Sequence, residues 1–215
     1  MRSRDVDHLV VTAPRLADGT AWVDSILGVS PQAGGEHVRM GTHNALLRLG
    51  ESLYLEVIAP DPAIRPPSRP RWFELDRLAP NTLPRLAAWV ARTDDIKSAV
   101  RDCGHAFGHV EEMSRGPLKW LITIPTDGSL PGGGAIPMLI EWKADHHPAT
   151  GLEDQGCTLA RLEILSAERH SISELVGCLD LRDAVAIRDL PAGSSPYLVA
   201  EIETPGGRRT LSGRR

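Results

Sequence analysis

The sequence predicts an α+β protein in which paired βαβββ modules form a curled mixed sheet with a cleft. Three observations support this. The order strand, helix and three strands occurs twice, apolar residues recur with helical spacing after the first strand of each copy, and a proline-rich connector separates the copies. A third, shortened βαββ(β) module follows. Repeats of one supersecondary unit normally pack on each other, because a single unit cannot bury its own sheet.

The first module occupies residues 5–60. It begins with a β-rich run and continues with a helix that stops at Gly28, a residue type favoured just after a helix end. Three strand-like segments complete the module. The predicted elements are a strand at 6–12, a helix at 16–27, and strands at 36–40, 44–49 and 52–58.

The second module, residues 85–150, repeats this order after the extended connector 59–85, so that residues 5–150 form one domain. The third module, residues 157–212, is expected to pack on that domain. Apolar residues in both remaining helices stand at i, i+3, i+4 and i+7. The predicted elements are strands at 86–92, 109–114, 119–124 and 136–142 with a helix at 95–103, then strands at 159–165, 184–189, 197–204 and 208–211 with a helix near 172–179.

Composition and charge argue against two classes of binding partner. The 215 residues include 24 basic and 28 acidic side chains, a formal net charge of −4, so neither nucleic acid nor an anionic membrane is expected as a partner. No apolar run is long enough to span a bilayer, and the start of the chain does not resemble a signal peptide. The odd number of cysteines, Cys103, Cys157 and Cys178, predicts free thiols in the reducing cytoplasm.

Two glutamates stand at matching places in the last strands of the first two modules. The LYLEV run containing Glu56 aligns with the MLIEW run containing Glu141. The face opposite Glu56 is wholly apolar and should pack under the helix, which leaves Glu56 facing the cleft. His8 lies on the same side of the first strand. Because a buried, unpaired carboxylate is costly, the pattern predicts that His8, Glu56 and Glu141 meet in one hollow.

Several segments together resemble the vicinal oxygen chelate superfamily, and more narrowly its glyoxalase-like domain proteins. The resemblance covers most of residues 5–150 and is specific as a set. The matching segments are DHLVV at 7–11, residues 22–28, GTHNALLRLG at 41–50, YLEVIAP at 54–60, LIEW at 139–142 and HP at 147–148.

The resemblance implies a metal site in the cleft. In that superfamily a divalent metal is held by one side chain from the first and last strand of each module. By position these are His8, Glu56, Ala88 and Glu141, and alanine cannot bind a metal. One imidazole and two carboxylates would suit Zn²⁺, Mn²⁺, Fe²⁺ or Ni²⁺. With such a metal, Glu56 or Glu141 would be the general base of a lyase, isomerase or dioxygenase acting on a small oxygen-rich metabolite.

Two alternatives to a metalloenzyme stay open. One is a metal-free protein that binds or sequesters a small molecule, as bleomycin-binding relatives do, and the other is a regulatory or structural domain with a vestigial cleft. Four residues are candidates for substrate contacts, and a loop histidine could supply the missing metal ligand. The former are His43, Asn44, Tyr54 and Arg92; the latter are His105, His109, His146 and His147. The unpartnered edge of the third module predicts a homodimer.

Overall fold

A computed structural model describes residues 4–104, 107–116, 118–143 and 147–214 of the chain. Within these ranges the elements follow the predicted order. The first module contains β1 (Arg4–Thr12), α1 (Leu16–Leu27), β2 (Gln32–His37), β3 (Thr42–Gly50) and β4 (Leu53–Pro60). The second contains β5 (Arg85–Thr93), α2 (Ile96–Cys103), β6 (His109–Arg115), β7 (Leu118–Ile124) and β8 (Met138–Trp142). The third contains β9 (Thr158–Ser166), α3 (Arg169–Cys178), β10 (Ala186–Asp189), β11 (Tyr197–Thr204) and β12 (Gly207–Ser212).

The first two modules share one eight-stranded sheet in the order β2-β3-β4-β1-β5-β8-β7-β6. Their first strands, β1 and β5, pair antiparallel at the centre, and each pairs in parallel with the last strand of its own module. The edge strands β2 and β6 approach each other, so the sheet curls around a cleft. The predicted α+β architecture is therefore confirmed.

The larger apolar core lies on the convex side of this sheet, under α1 and α2. Leu9, Leu55 and Trp89 from the sheet are wholly buried in it, and side chains of the third module such as Ile164 and Ile202 belong to the same core. The third module forms a separate sheet in the order β10-β9-β11-β12, whose strands β11 and β12 contact β5. A second, smaller core lines the concave side and contains the tryptophans and the phenylalanine that line the cleft.

Two sequence predictions need correction here. A disulfide joins Cys103 at the end of α2 to Cys178 at the end of α3, so the expectation of free thiols was wrong for this pair; Cys157 is a buried free cysteine. The second strand ends at His37, and residues 38–40 form a 3₁₀ turn that closes at Gly41 with φ 59°. Among the described helices, none has the length and apolarity needed to cross a membrane.

Candidate functional site

An irregularity in β1 brings an aspartate beside the cleft histidine. The pairing of β1 with β5 shifts register between Val6 and His8, as at a β-bulge, so Asp7 lies at the shift. The Asp7 carboxylate contacts the His8 ring, with 2.7 Å between Oδ1 and Nδ1. His8 is 4% exposed and Asp7 is wholly buried. The Nδ1 atom of His8 is thus engaged, and its Nε2 atom is the one that faces the cleft.

Asp7 is surrounded by donors. Besides His8, it accepts a hydrogen bond from the indole N–H of Trp142 at 2.9 Å, and His147 Nε2 lies 3.0 Å from Oδ2. The Arg92 guanidinium lies 3.7 Å away. Burial by itself would raise the pKa of Asp7, but the hydrogen bonds from His147 and His8 outweigh it and hold that pKa well below its ordinary value. Asp7 is therefore a buried anion that fixes the orientation of His8.

Glu56 faces His8 from the neighbouring strand β4. Its Oε2 atom lies 3.7 Å from His8 Nε2, and its Oε1 atom accepts a hydrogen bond of 2.5 Å from the Asn44 side-chain amide. Glu56 is 6% exposed. The Tyr54 ring stacks on the His8 ring, with centroids 4.6 Å apart and planes 14° apart. Burial raises the pKa of Tyr54 well above its ordinary value, so its phenol stays neutral.

Asn44 connects Glu56 to a cation at the opposite edge of the sheet. Its Oδ1 atom accepts hydrogen bonds from Arg115 Nη1 at 3.0 Å and from the Gly35 backbone N–H at 2.8 Å. Arg115 is the last residue of β6, so this contact joins the two edges of the curled sheet. We call Arg115, Asn44, Glu56 and His8, in that order, the polar row of the cleft.

Aromatic rings line the cleft beside the polar row. We call Trp72, Phe73, Trp120 and Trp142 the aromatic wall; Trp72 contacts Phe73 and Trp120 contacts Trp142, with ring centroids 5.4 and 5.3 Å apart. His37 also lines the cleft, and burial lowers its pKa to about 4, so its ring is neutral at neutral pH. The free volume inside the cleft is about 20 Å³, so the lining side chains leave room for roughly one water molecule.

The second module contributes apolar side chains where the first contributes His8 and Glu56. Val90 pairs with His8 across the centre of the sheet and also with Met138 of β8. Ala88 and Ile140 belong to the same buried cluster on the concave side. The cleft face of the second module therefore offers methyl and methylene groups at the positions of the two remaining superfamily ligands.

Glu141 lies on the opposite face of the sheet, and its predicted place in the cleft is corrected accordingly. Its Oε2 atom accepts a hydrogen bond of 2.9 Å from the backbone N–H of Ile96 at the start of α2, and its Oε1 atom contacts the Lys143 ammonium. Successive residues of a strand face opposite sides, so Ile140 and Trp142 line the cleft while Glu141 stabilises the helix N-terminus.

This arrangement does not assemble the metal site that the resemblance implies. Two of the three expected ligands, His8 and Glu56, come together, and the third does not. Over the ranges that the structure describes, no three His, Cys, Asp or Glu side chains are grouped so as to hold a metal ion. His147 contacts Asp7 rather than the cleft carboxylate, and His109 is exposed on β6. His105 and His146 lie outside the described residues.

The four candidate substrate contacts divide evenly. Asn44 and Tyr54 line the cleft. His43 does not: its Nδ1 atom lies 3.8 Å from a carboxylate oxygen of Asp61. Arg92 contacts the backbone carbonyl and hydroxyl of Ser52 and lines a separate surface pocket.

Sequence reasoning missed several residues that line or support the cleft. They are Asp7, His37, Trp72, Arg115, Trp120 and Trp142. One signal was available for the tryptophans. Aromatic residues make up only 4% of the chain, and Trp120 and Trp142 lie directly opposite each other on β7 and β8. Cross-strand aromatic pairs of this kind stabilise one face of a sheet and can form a flat binding surface.

Comparisons with known proteins agree with this fold. A family model described as a glyoxalase-like domain matches residues 6–177. No curated protein sequence matches the chain. The crystal structure of a hypothetical protein from Staphylococcus aureus aligns with 98% of this chain and 85% of that one, at 14% identity and a TM-score of 0.54.

Two further structures are similar over different lengths. A variant of 4-hydroxymandelate synthase from Streptomyces coelicolor aligns with 99% of this chain and 63% of that one, at 15% identity and a TM-score of 0.46. A variant of methylmalonyl-CoA epimerase from the same organism, in complex with 2-nitronate-propionyl-CoA, aligns with 65% of this chain and 98% of that one, at 17% identity and a TM-score of 0.44. At such identities the likeness concerns the fold alone.

Proposed function

The chain belongs to the glyoxalase-like domain family, and from this premise we propose that it binds a small planar organic molecule in its cleft without a metal ion. One observation carries the proposal. The first module supplies His8 and Glu56, whereas the matching cleft positions of the second module hold apolar side chains, and Glu141 faces away. A cleft that is polar on one side and aromatic on the other suits an organic ligand better than an ion.

The side chains that line the cleft indicate a flat, largely apolar ligand. Three of the chain's five tryptophans, Trp72, Trp120 and Trp142, line it. Flat rings stack favourably on indoles, and each such contact adds about 0.5–1.5 kcal/mol beyond the buried area. The interior of the cleft holds about 20 Å³ of free space, room for roughly one water molecule, so a ring would enter by displacing side chains of the aromatic wall.

Glu56 and His8 would anchor the polar end of such a ligand. The Oε1 atom of Glu56 accepts from Asn44, whereas its Oε2 atom has, among the described residues, only the distant contact of 3.7 Å with His8. Of the two carboxylate oxygens of Glu56, Oε2 is therefore the one to which a hydroxyl or amide N–H of a ligand can donate. His8 donates through Nδ1 to Asp7, so its Nε2 accepts from the ligand group when the ring is neutral and donates to it when the ring is protonated.

The contact between Asp7 and His8 also favours a second candidate, a metal-independent isomerase. In that reaction the Glu56 carboxylate would take a proton from a carbon next to a carbonyl group of the ligand and return it at another position. His8 would donate from Nε2 to the carbonyl oxygen in its protonated, imidazolium form, because its Nδ1–H is already directed at Asp7, and would stabilise the negative charge that develops there. A metal-dependent lyase or dioxygenase would need more ligands than this pair of residues offers, so no metal step is proposed.

A binding experiment on metal-free protein tests the proposal. The chain is dialysed against EDTA, its metal content is measured by mass spectrometry, and one- and two-ring aromatic compounds are titrated while tryptophan fluorescence is followed. We expect binding that is unchanged by EDTA, and a loss of about tenfold or more in Glu56→Gln, because that change removes a charged acceptor.

Glu141→Gln is the matched control, since it makes the same chemical change on the opposite face of the sheet. It should leave ligand affinity unchanged, although it weakens the contact with α2. Binding that appears only after Zn²⁺, Mn²⁺, Fe²⁺ or Ni²⁺ is added would contradict the proposal. So would an equal loss of affinity in the two glutamine variants.

A further inference from the structure

Arg115 places a positive charge in the cleft that no described carboxylate neutralises. Its guanidinium donates to the neutral Asn44 amide oxygen at 3.0 Å, and no ion pair involves it among the residues that the structure describes. Two other arginines that contact β6 differ, because Arg39 and Arg69 both pair with the Glu111 carboxylate at 2.5 Å. A guanidinium has five N–H donors in a planar fork, so Arg115 keeps donors for a second partner.

A second unsatisfied donor lines the same cleft. The indole Nε1 of Trp72 has no hydrogen-bond partner among the described residues, although Trp72 is only 3% exposed. A buried N–H without an acceptor is unfavourable, and an acceptor on a bound ligand would relieve that cost. His37 contacts the Trp72 ring edge-on, with centroids 5.0 Å apart, and lines the cleft with it.

Asn44 separates this donor-rich end of the cleft from Glu56. Its amide oxygen accepts from Arg115 and its amide nitrogen donates to Glu56, so a cation stands on one side of the amide and an anion on the other. The cleft is therefore polarised along the polar row. A ligand with one negatively charged end would place that end near Arg115 and away from Glu56.

We propose that Arg115 and Trp72 form an anion subsite, and that the cleft takes planar aromatic carboxylates. This inference rests on the proposed function, because it assigns the ligand class for the same cleft. The carboxylate accepts from the free N–H groups of Arg115 and from the Trp72 indole, and the ring lies along the aromatic wall. A flat carboxylate matches the guanidinium fork in two parallel hydrogen bonds.

Calorimetric titration of matched acid and amide pairs tests this subsite on the full chain. The probes are benzoate with benzamide, cinnamate with cinnamamide, and 2-naphthoate with 2-naphthamide. Each pair keeps the ring and removes the charge. We expect the acid to bind about tenfold to a hundredfold more tightly than its amide in the unmodified protein, as for hydrogen bonds to charged groups.

Substitutions test whether Arg115 and Trp72 cause the preference for the acid over the amide. Arg115→Met should remove the preference for the acid while amide affinity persists, and Arg115→Lys, which keeps the charge but not the fork, should retain part of it. Arg39→Met removes one positive charge that pairs with Glu111 and does not line the cleft, and it should leave the preference intact. Trp72→Phe should lower the affinity for the acid by more than the affinity for the amide. Thermal unfolding of each variant verifies that it is folded.

The two proposals fail in different ways. Equal or tighter binding of the amide, or a preference that survives Arg115→Met, overturns the anion subsite while leaving a ligand-binding cleft. If no member of any pair binds, the proposed function fails as well. A preference that disappears equally in Arg39→Met and Arg115→Met would reduce the effect to the net charge of the protein and overturn the subsite.

Discussion

Replacing Asp7 by asparagine tests the network that orients the cleft histidine. The amide keeps the size of the carboxylate and one acceptor oxygen, but it places an NH₂ group where Oδ2 now faces the Trp142 indole and His147. The Trp142 N–H and His147 Nε2 would then face an amide NH₂ group that cannot accept hydrogen bonds from them. The Arg92 guanidinium would also lose its carboxylate partner 3.7 Å away. Breaking a buried ionic contact typically costs about 3–5 kcal/mol, and we expect Asp7→Asn to lower the free energy of unfolding by that amount.

The assay is urea unfolding at pH 7, followed by tryptophan fluorescence and circular dichroism. Asp18→Asn serves as the control, because Asp18 of α1 pairs with the exposed Arg15 just before that helix, and the change should alter stability little. The fall in the free energy of unfolding at acid pH, here called the acid limb, gives a second readout. Since the pKa of Asp7 in the folded protein lies below its ordinary value of 3.8, its stabilisation is present above that pH and is lost as pH falls through the folded pKa.

The unmodified protein should therefore lose stability below pH 4 more steeply than Asp7→Asn. A loss of less than about 1 kcal/mol in Asp7→Asn at pH 7, together with parallel acid limbs, would refute the assignment of Asp7 as a buried, hydrogen-bonded anion.

Three further predictions concern the fold and assembly. Cys178→Ser, which opens the disulfide with Cys103, should lower the free energy of unfolding by about 2–4 kcal/mol; thiol titration of the denatured, unreduced parent should find one thiol, and three would disprove the disulfide. Gly128→Ala should lower the melting temperature, because its φ is +69° and a Cβ there would lie 2.1 Å from the Arg71 carbonyl oxygen; an unchanged melting temperature would contradict this. The unpartnered sheet edge of the third module predicts a homodimer, which light scattering checks and a monomeric mass would exclude.

Much of the fold could be predicted from the sequence because its signals are local. The helix at residues 16–27, with its glycine stop, and the strand at 197–204 were predicted with the bounds that the structure shows. The predicted bounds of the second strand were less accurate. Gly34 and Gly35 obscure the alternation of apolar and polar side chains, and the irregular turn after His37 resembles a continuing strand in the sequence.

The face of Glu141 could not be predicted, since the local pattern of its strand is ambiguous. Met138, Leu139 and Ile140 are all buried, because both faces of β8 are covered, so alternation does not reveal which face meets the cleft. A shift of one residue in the alignment of β8 with β4 moves every side chain to the other face. In β4 the face that carries Glu56 could be predicted because the opposite face, Leu53, Leu55 and Val57, is wholly apolar, and the structure brings Glu56 beside His8 and Asn44.

Contacts between distant parts of the chain were also beyond the sequence. Asp7 meets His147 across 140 residues, and Cys103 meets Cys178 across 75. The register shift that brings Asp7 beside His8 has no glycine or proline to mark it. Arg115 reaches Asn44 because the sheet curls until its edges meet, which is a property of the whole sheet.

The central claim is that the cleft holds an organic ligand between its aromatic wall and its polar row without a metal. A crystal structure of EDTA-treated protein, soaked with the tightest-binding aromatic acid, tests this most directly. We predict density for the ring along Trp120 and Trp142, with the carboxylate at Arg115 and no ion at His8. A ligand bound elsewhere, or an ion held by His8 and Glu56 that must be present for the ligand to bind, would contradict it.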